Sequence, residues 1–127
     1  MEEKKMRDYR NIDFYLTQRE KDVLQILWDA DCGLISSEVV RRKEELTINT
    51  VQAIMRKLLS RNLIEVSEIV HSRTVLCRKY VPVMSQKEFE FLHIAKQIED
   101  LGRFGITTKG FVEQYNDYME KLNRSMQ

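Results

Sequence analysis

The stretch "ELTINTVQAIMRKLLSRNLIEV", residues 45–66, decides how this chain is read. Val51, Ile54, Met55, Leu58 and Leu59 recur at the i, i+3, i+4, i+7, i+8 spacing of a helix with one buried side. Thr47 stands where an N-cap belongs, since its hydroxyl can accept from the free amides of Asn49 or Thr50. Arg61 and Asn62 suit the helix end. At about 100° per residue, Asn49, Gln52, Ala53, Arg56 and Ser60 gather on the opposite side. No acidic residue stands between Thr47 and Asn62. Arg, Lys, Gln and Asn turned outward are most often just a solvated face, but such a face usually mixes both signs of charge. This one offers amides, hydroxyls and bases, the groups that read nucleic acid. The neighbouring segments decide between the two readings.

On the N-terminal side, "LTQREKDVLQILWDADCG" (16–33) carries a capping box: Thr17 can cap, and Glu20 can reach back to the cap amide. Val23, Leu24, Leu27 and Trp28 form its apolar face, with Ile26 at the edge, and Asp29 to Gly33 ends it. "LISSEVVRRKEEL" (34–46) reads as a short second helix, capped by Ser36 or Ser37, with Val39 and Val40 inward. On the C-terminal side, "LIEVSEIVHSRTVLCRKYVPV" (63–83) is rich in Val, Ile, Leu and Thr, which predicts strands at 63–70 and 74–81 around a polar tip, His71-Ser72-Arg73. Pro82 ends the second strand. From Ser85 the helical period returns, with Phe91, Ile94, Ala95, Ile98 and Leu101 on one side. Gly102 and Gly105 mark a break. A last helix over about 107–124 aligns Phe111, Tyr115, Tyr118 and Leu122, with Val112, Met119 and Met126 alongside.

The expected fold is therefore mainly α with a small β-hairpin: a winged helix-turn-helix followed by C-terminal helices. The division is an N-terminal arm at 1–15, a winged-helix domain at 16–83 and a helical region at 84–127. The totals agree. A chain of 127 residues with one Pro and four Gly does not suit a turn-rich sandwich or barrel. Net charge is only +1, so any basic surface must come from clustering. Residues 17–82 hold 11 Lys and Arg against 9 Asp and Glu, with the bases concentrated on the third helix and the hairpin.

Helix, helix, helix and hairpin is the order of a winged helix, whose third helix presents its N-terminal half to the major groove. "LTQREKDVLQILWD", "SSEVV" and "LTINTVQAIMRKLLSRNLIEV" together resemble the BlaI/MecI penicillinase-repressor family of bacterial transcriptional regulators. Its recognition-helix pattern is matched by Thr50-Val51-Gln52-Ala53-Ile54-Met55-Arg56-Lys57-Leu58. The resemblance covers residues 16–83. It implies a homodimeric repressor that occupies an inverted-repeat operator with TACA/TGTA half-sites in double-stranded DNA, and the lack of a secretory signal or a membrane-length apolar run makes a cytoplasmic location the expectation. In several members a sensor protease relieves repression by cutting after an Asn-Phe pair. No Asn-Phe occurs here, the nearest wording being Glu88-Phe89-Glu90-Phe91, so the inducing partner is left open.

The chemistry assigns roles. Asn49 and Gln52 can pair with adenine, Arg56 with guanine, and Ala53 can touch a thymine methyl. Thr47, Thr50, Lys57, Ser60 and Arg61 on the shoulders, and Arg73, Arg78 and Lys79 on the hairpin, are expected to reach phosphates. Arg41, Arg42 and Lys43 can add to them. Phe91, Ile94, Ile98, Phe111, Tyr115, Tyr118 and Leu122 are expected to pair two copies, because a chain of this size cannot bury two such stripes alone. Cys32, His71, Cys77 and His93 lack zinc-ligand spacing and read as free buried thiols and solvated histidines; no metal or other cofactor is expected. No Gly-rich phosphate loop or G-x-S-x-G motif is present, so no enzyme is expected. Two rivals remain. One is a MarR-like ligand-responsive regulator, which needs a long helix ahead of the winged domain. The other is a winged helix used only for protein interaction, which tends to lose its basic shoulders.

Overall fold

The computed structural model describes residues 9–126. Most of the expected N-terminal arm, residues 1–8, lies outside them. The chain divides after Phe89 into two compact units.

In the first unit, a short 3-10 turn at Tyr9–Asn11 leads into α1 (Gln18–Asp29), α2 (Ser36–Arg41), α3 (Ile48–Ser60), β1 (Ile64–Ser72) and β2 (Val75–Pro82). Helix α1 starts at Thr17, whose hydroxyl accepts the Glu20 N–H while the Glu20 carboxylate accepts the Thr17 N–H. Helix α2 starts one residue earlier than expected. Ile35, not Ser36 or Ser37, is its N-cap, and the Glu38 carboxylate accepts the Ile35 N–H at 3.0 Å. Ile35 is buried, so packing fixes the turn and both serines fall in the first helical turn. Helix α3 is capped by Thr47, which accepts from the Thr50 amide. Leu46 and Val51, both buried, flank that cap as a hydrophobic staple. Asn62 follows α3 at φ 59°, the left-handed position where a helix commonly stops.

The three helices pack on one another around Val23, Leu24, Leu27, Val39, Val51, Met55 and Leu58, each essentially without solvent exposure. The strands form an antiparallel ladder from Ile64↔Pro82 to Ser72↔Val75, with a bulge between Val66 and Glu68. Pairing runs further out than expected. His71 and Ser72 belong to β1, and the turn is two residues, Arg73 and Thr74, with Arg73 at φ 61°. Leu34 adds a third, one-residue edge by exchanging two backbone bonds with Tyr80, at 3.1 and 2.8 Å. Gly33 permits this approach: a Cβ there would lie 2.7 Å from the Ser67 hydroxyl and 3.2 Å from the Lys79 Cβ. The hairpin leaves Pro82 towards Met84, whose carbonyl accepts the Trp28 indole N–H at 3.0 Å. Phe89 then packs its ring against Phe14 and Trp28, with centroids 5.2 and 5.4 Å away.

Helix α4 (Gln86–Leu101) begins in the first unit and continues into the second, where a 3-10 turn at Gly102–Phe104 leads to α5 (Thr108–Ser125). Gly105, at φ 78°, makes that turn, and Thr107 caps α5 by accepting the Gly110 N–H. Phe111 and Tyr115 stack on the surface of α5, and Val112, Tyr115 and Tyr118 are exposed.

The thiols depart from expectation. Cys32 is exposed and Cys77 half-buried, both free. Cys32 sits in the α1–α2 loop, and a hairpin of two long strands cannot cover both its faces. Among the described residues, no group of three His, Cys, Asp or Glu side chains is placed to hold a metal ion, and no helix is long and apolar enough to cross a membrane.

Candidate nucleic-acid interface

Helix α3 turns Val51, Ile54, Met55 and Leu58 into the core, which places its other side outward. Asn49, Gln52, Ala53 and Arg56 are all exposed there, as are Thr47, Thr50, Lys57 and Ser60. Along β2, Leu76, Arg78 and Tyr80 alternate onto one face of the hairpin. Strand β2 and α3 border an open groove of about 520 Å³. Ile48, Gln52 and Arg56 of α3 line it together with Val75, Leu76, Cys77, Arg78 and Tyr80 of β2 and with Ile35, Ser36 and Ser37 at the start of α2. Three expected site residues, Gln52, Arg56 and Arg78, thus meet in one concavity. Asn49 and Ala53 share the exposed side of α3 without lining it.

The basic side chains divide into two groups. Among the described residues, Arg41, Arg42, Arg56, Arg73 and Arg78 form no ion pair with a carboxylate, so their charges stand open to an anion. Lys43, by contrast, bridges Asp22 at 3.4 Å and Glu45 at 3.9 Å. Lys79 pairs with Glu68 at 3.6 Å. Ser60 donates its hydroxyl to the Lys57 carbonyl at 2.7 Å. Thr47 donates to the Thr50 hydroxyl at 2.9 Å.

Arg61 is held most firmly. Its guanidinium donates to the Tyr15 carbonyl at 3.0 Å, bridges Glu20 at 3.3 Å and lies 3.8 Å from Asp13. The fork is directed at the segment before α1, where it ties the end of α3 to the start of the fold. Burial alone pushes the Glu20 carboxyl up. The Thr17 amide and hydroxyl, with the charges of Arg61 and Lys57, outweigh that and hold it below the usual carboxylate range.

The groove also holds residues that the outward face of α3 did not single out: Ile48, Leu76 and Tyr80, with Ser36 and Ser37. For Ile48 a signal existed, because it precedes Gln52 and Arg56 at i, i+4, i+8. The wing residues carried none, since strand alternation does not say which face meets a helix.

The family model of the penicillinase repressors matches residues 16–114. No curated protein matches the chain. Among solved structures, it is similar to a MepR variant of Staphylococcus aureus bound to an oligodeoxyribonucleotide, at 18% identity, 88% of this chain, 80% of that one and a TM-score of 0.46. A second MepR variant, from a multidrug-resistant S. aureus clinical isolate, is 16% identical over 90% and 81%, with a TM-score of 0.47. A Staphylococcus aureus MarR in complex with salicylate and kanamycin is 12% identical over 87% and 73%, at 0.46.

Proposed function

The chain belongs to the penicillinase repressor family of transcriptional regulators, and from that premise we propose that it is a cytoplasmic repressor that binds an inverted-repeat DNA operator as a homodimer. The observation that carries this reading is the exposed face of α3, where Asn49, Gln52, Ala53 and Arg56 stand on a helix with no acidic residue between Thr47 and Asn62, and where Gln52 and Arg56 share a groove with Arg78 of the wing.

In this reading α3 enters the major groove. Asn49 and Gln52 offer paired donors and acceptors to adenine, and Arg56 to guanine. Arg73 at the wing tip, Arg78 on β2, Lys57 and the two threonines at the start of α3 neutralise or hydrogen-bond phosphates, which set orientation rather than sequence preference. Lys79 joins them by exchanging its exposed Glu68 partner for phosphate. Arg61 serves by fixing the end of α3, since its Nη1 is already shared between the Tyr15 carbonyl and Glu20. Repression follows from occupancy of a promoter, and no catalytic step is involved.

Dimerisation is supported by the second unit. Phe91 and Tyr118 are 68% and 60% exposed, and Ile94 and Tyr115 are exposed as well. Apolar stripes of this kind are removed from water by pairing with another copy. A two-fold dimer presents two α3 helices to half-sites related by the same axis.

Selection from a random double-stranded DNA library tests the reading. Enrichment of one motif with two-fold symmetry is expected. Failure to enrich any motif by a folded, dimeric protein contradicts it and favours a winged helix used for protein interaction.

A further inference from the structure

We infer that Ile48 is a base-reading residue, whose side chain takes up the 5-methyl group of a thymine on the same stripe of α3 as Gln52 and Arg56. The inference rests on the DNA-binding reading above and deepens it.

Ile48 is the first residue of α3 and is 41% exposed. An isolated exposed isoleucine is ordinary and needs no explanation. Three observations set this one apart. First, the helix start does not need it: the cap is Thr47, and the staple across it is made by Leu46 and Val51. At an exposed helical position a β-branched residue is also a slightly poor choice. Second, Ile48, Gln52 and Arg56 follow at i, i+4, i+8, so they form one line along the helix, and all three line the groove. Third, side chains on a helix lean towards its N-terminus. Ile48 therefore projects beyond the end of α3 that a winged helix drives deepest into the major groove.

From the N-terminus the stripe reads apolar, amide, guanidinium. Its base-edge complements in the major groove are the thymine methyl, adenine and guanine. Thymine is the only base that offers a methyl group there, so an apolar side chain in that place discriminates rather than merely fills space. Ala53 is the other apolar residue on the outer side of α3, but it does not line the groove. It is the natural competitor for the same role.

The test takes the tightest duplex from the library selection and replaces each thymine in turn by deoxyuridine, which removes only the methyl group. Binding is measured by fluorescence anisotropy for the unchanged protein, Ile48→Ala and Ala53→Gly. At one thymine per half-site the unchanged protein should lose about fourfold in affinity, the equivalent of about 0.8 kcal/mol for one buried methyl group. Ile48→Ala should bind the thymine and uracil duplexes equally, while Ala53→Gly keeps the difference. Comparing two duplexes on one protein cancels any loss of folding. Sensitivity that disappears in Ala53→Gly but survives in Ile48→Ala overturns the inference and assigns the methyl contact to Ala53. The absence of any uracil-sensitive thymine overturns it while leaving sequence-specific binding intact. Failure of every duplex to bind removes the DNA-binding reading itself, and this inference with it.

Discussion

Glu20 and Arg61 illustrate how single side chains on the first unit do two different jobs. Glu20 is almost fully buried and satisfied by Thr17 and Arg61. Its carboxyl titrates below the usual range in the fold, so the stability it contributes is complete above its ordinary value of 4.5 and is lost as pH falls through the lowered folded value. Urea unfolding followed across that acid range should show a steeper fall for the unchanged protein than for Glu20→Gln. Arg61→Ala leaves one oxygen of a buried carboxylate without its partner and should cost about 1–3 kcal/mol at neutral pH. The exposed residues proposed to read bases should behave in the opposite way. Gln52→Ala and Arg56→Ala should leave the urea midpoint almost unmoved. Each should weaken binding to the selected operator by about 1–3 kcal/mol per lost bidentate contact. Loss of affinity from Gln52→Ala that is equal on selected and scrambled DNA would assign Gln52 to phosphate rather than to a base.

At the scale of elements, legibility in the sequence followed the range of the interaction. The Thr17–Glu20 box, the Thr47 cap and the inward face of α3 depend on residues within one or two turns, and periodicity was enough to read them. The Leu34–Tyr80 exchange and the docking of Phe89 on Phe14 and Trp28 depend on partners dozens of residues away, which no local pattern states. The same division holds at the candidate site. Helical spacing put Gln52 and Arg56 on one side. The meeting of that side with Leu76, Arg78 and Tyr80, and the direction of Arg61 towards Tyr15 and Glu20, required the tertiary fold. The α3–β1 junction gives an element-scale prediction. Asn62 holds a left-handed conformation at φ 59°, so Asn62→Gly should be neutral or stabilising by up to about 1 kcal/mol, whereas Asn62→Val should cost about 1–2 kcal/mol. Thermal unfolding of the two variants checks the order.

For the whole molecule, the proposal joins two units with separate tasks: one reads DNA, and the other brings two readers together. Tyr115→Glu combined with Tyr118→Glu places charge on the exposed stripe of α5 without touching the core of the first unit. Sedimentation should show a monomer, with the unfolding transition of the first unit retained and operator affinity reduced at least tenfold by the loss of bivalent binding. Arg41, Arg42, Arg56, Arg73 and Arg78, which form no ion pair among the described residues, bear on the central claim. A protein that neutralises several phosphates releases counterions, and its affinity falls linearly on a double-logarithmic plot against salt, by about 0.9 for each phosphate. The most direct measurement is an anisotropy titration of a fluorescent inverted-repeat duplex with TACA/TGTA half-sites, beside a scrambled duplex, from low to moderate salt. Preferential binding to the inverted repeat, with a slope of several phosphates that Arg78→Ala makes shallower, is the predicted result. The absence of binding to either duplex by the folded dimer would contradict the claim that this winged helix reads DNA.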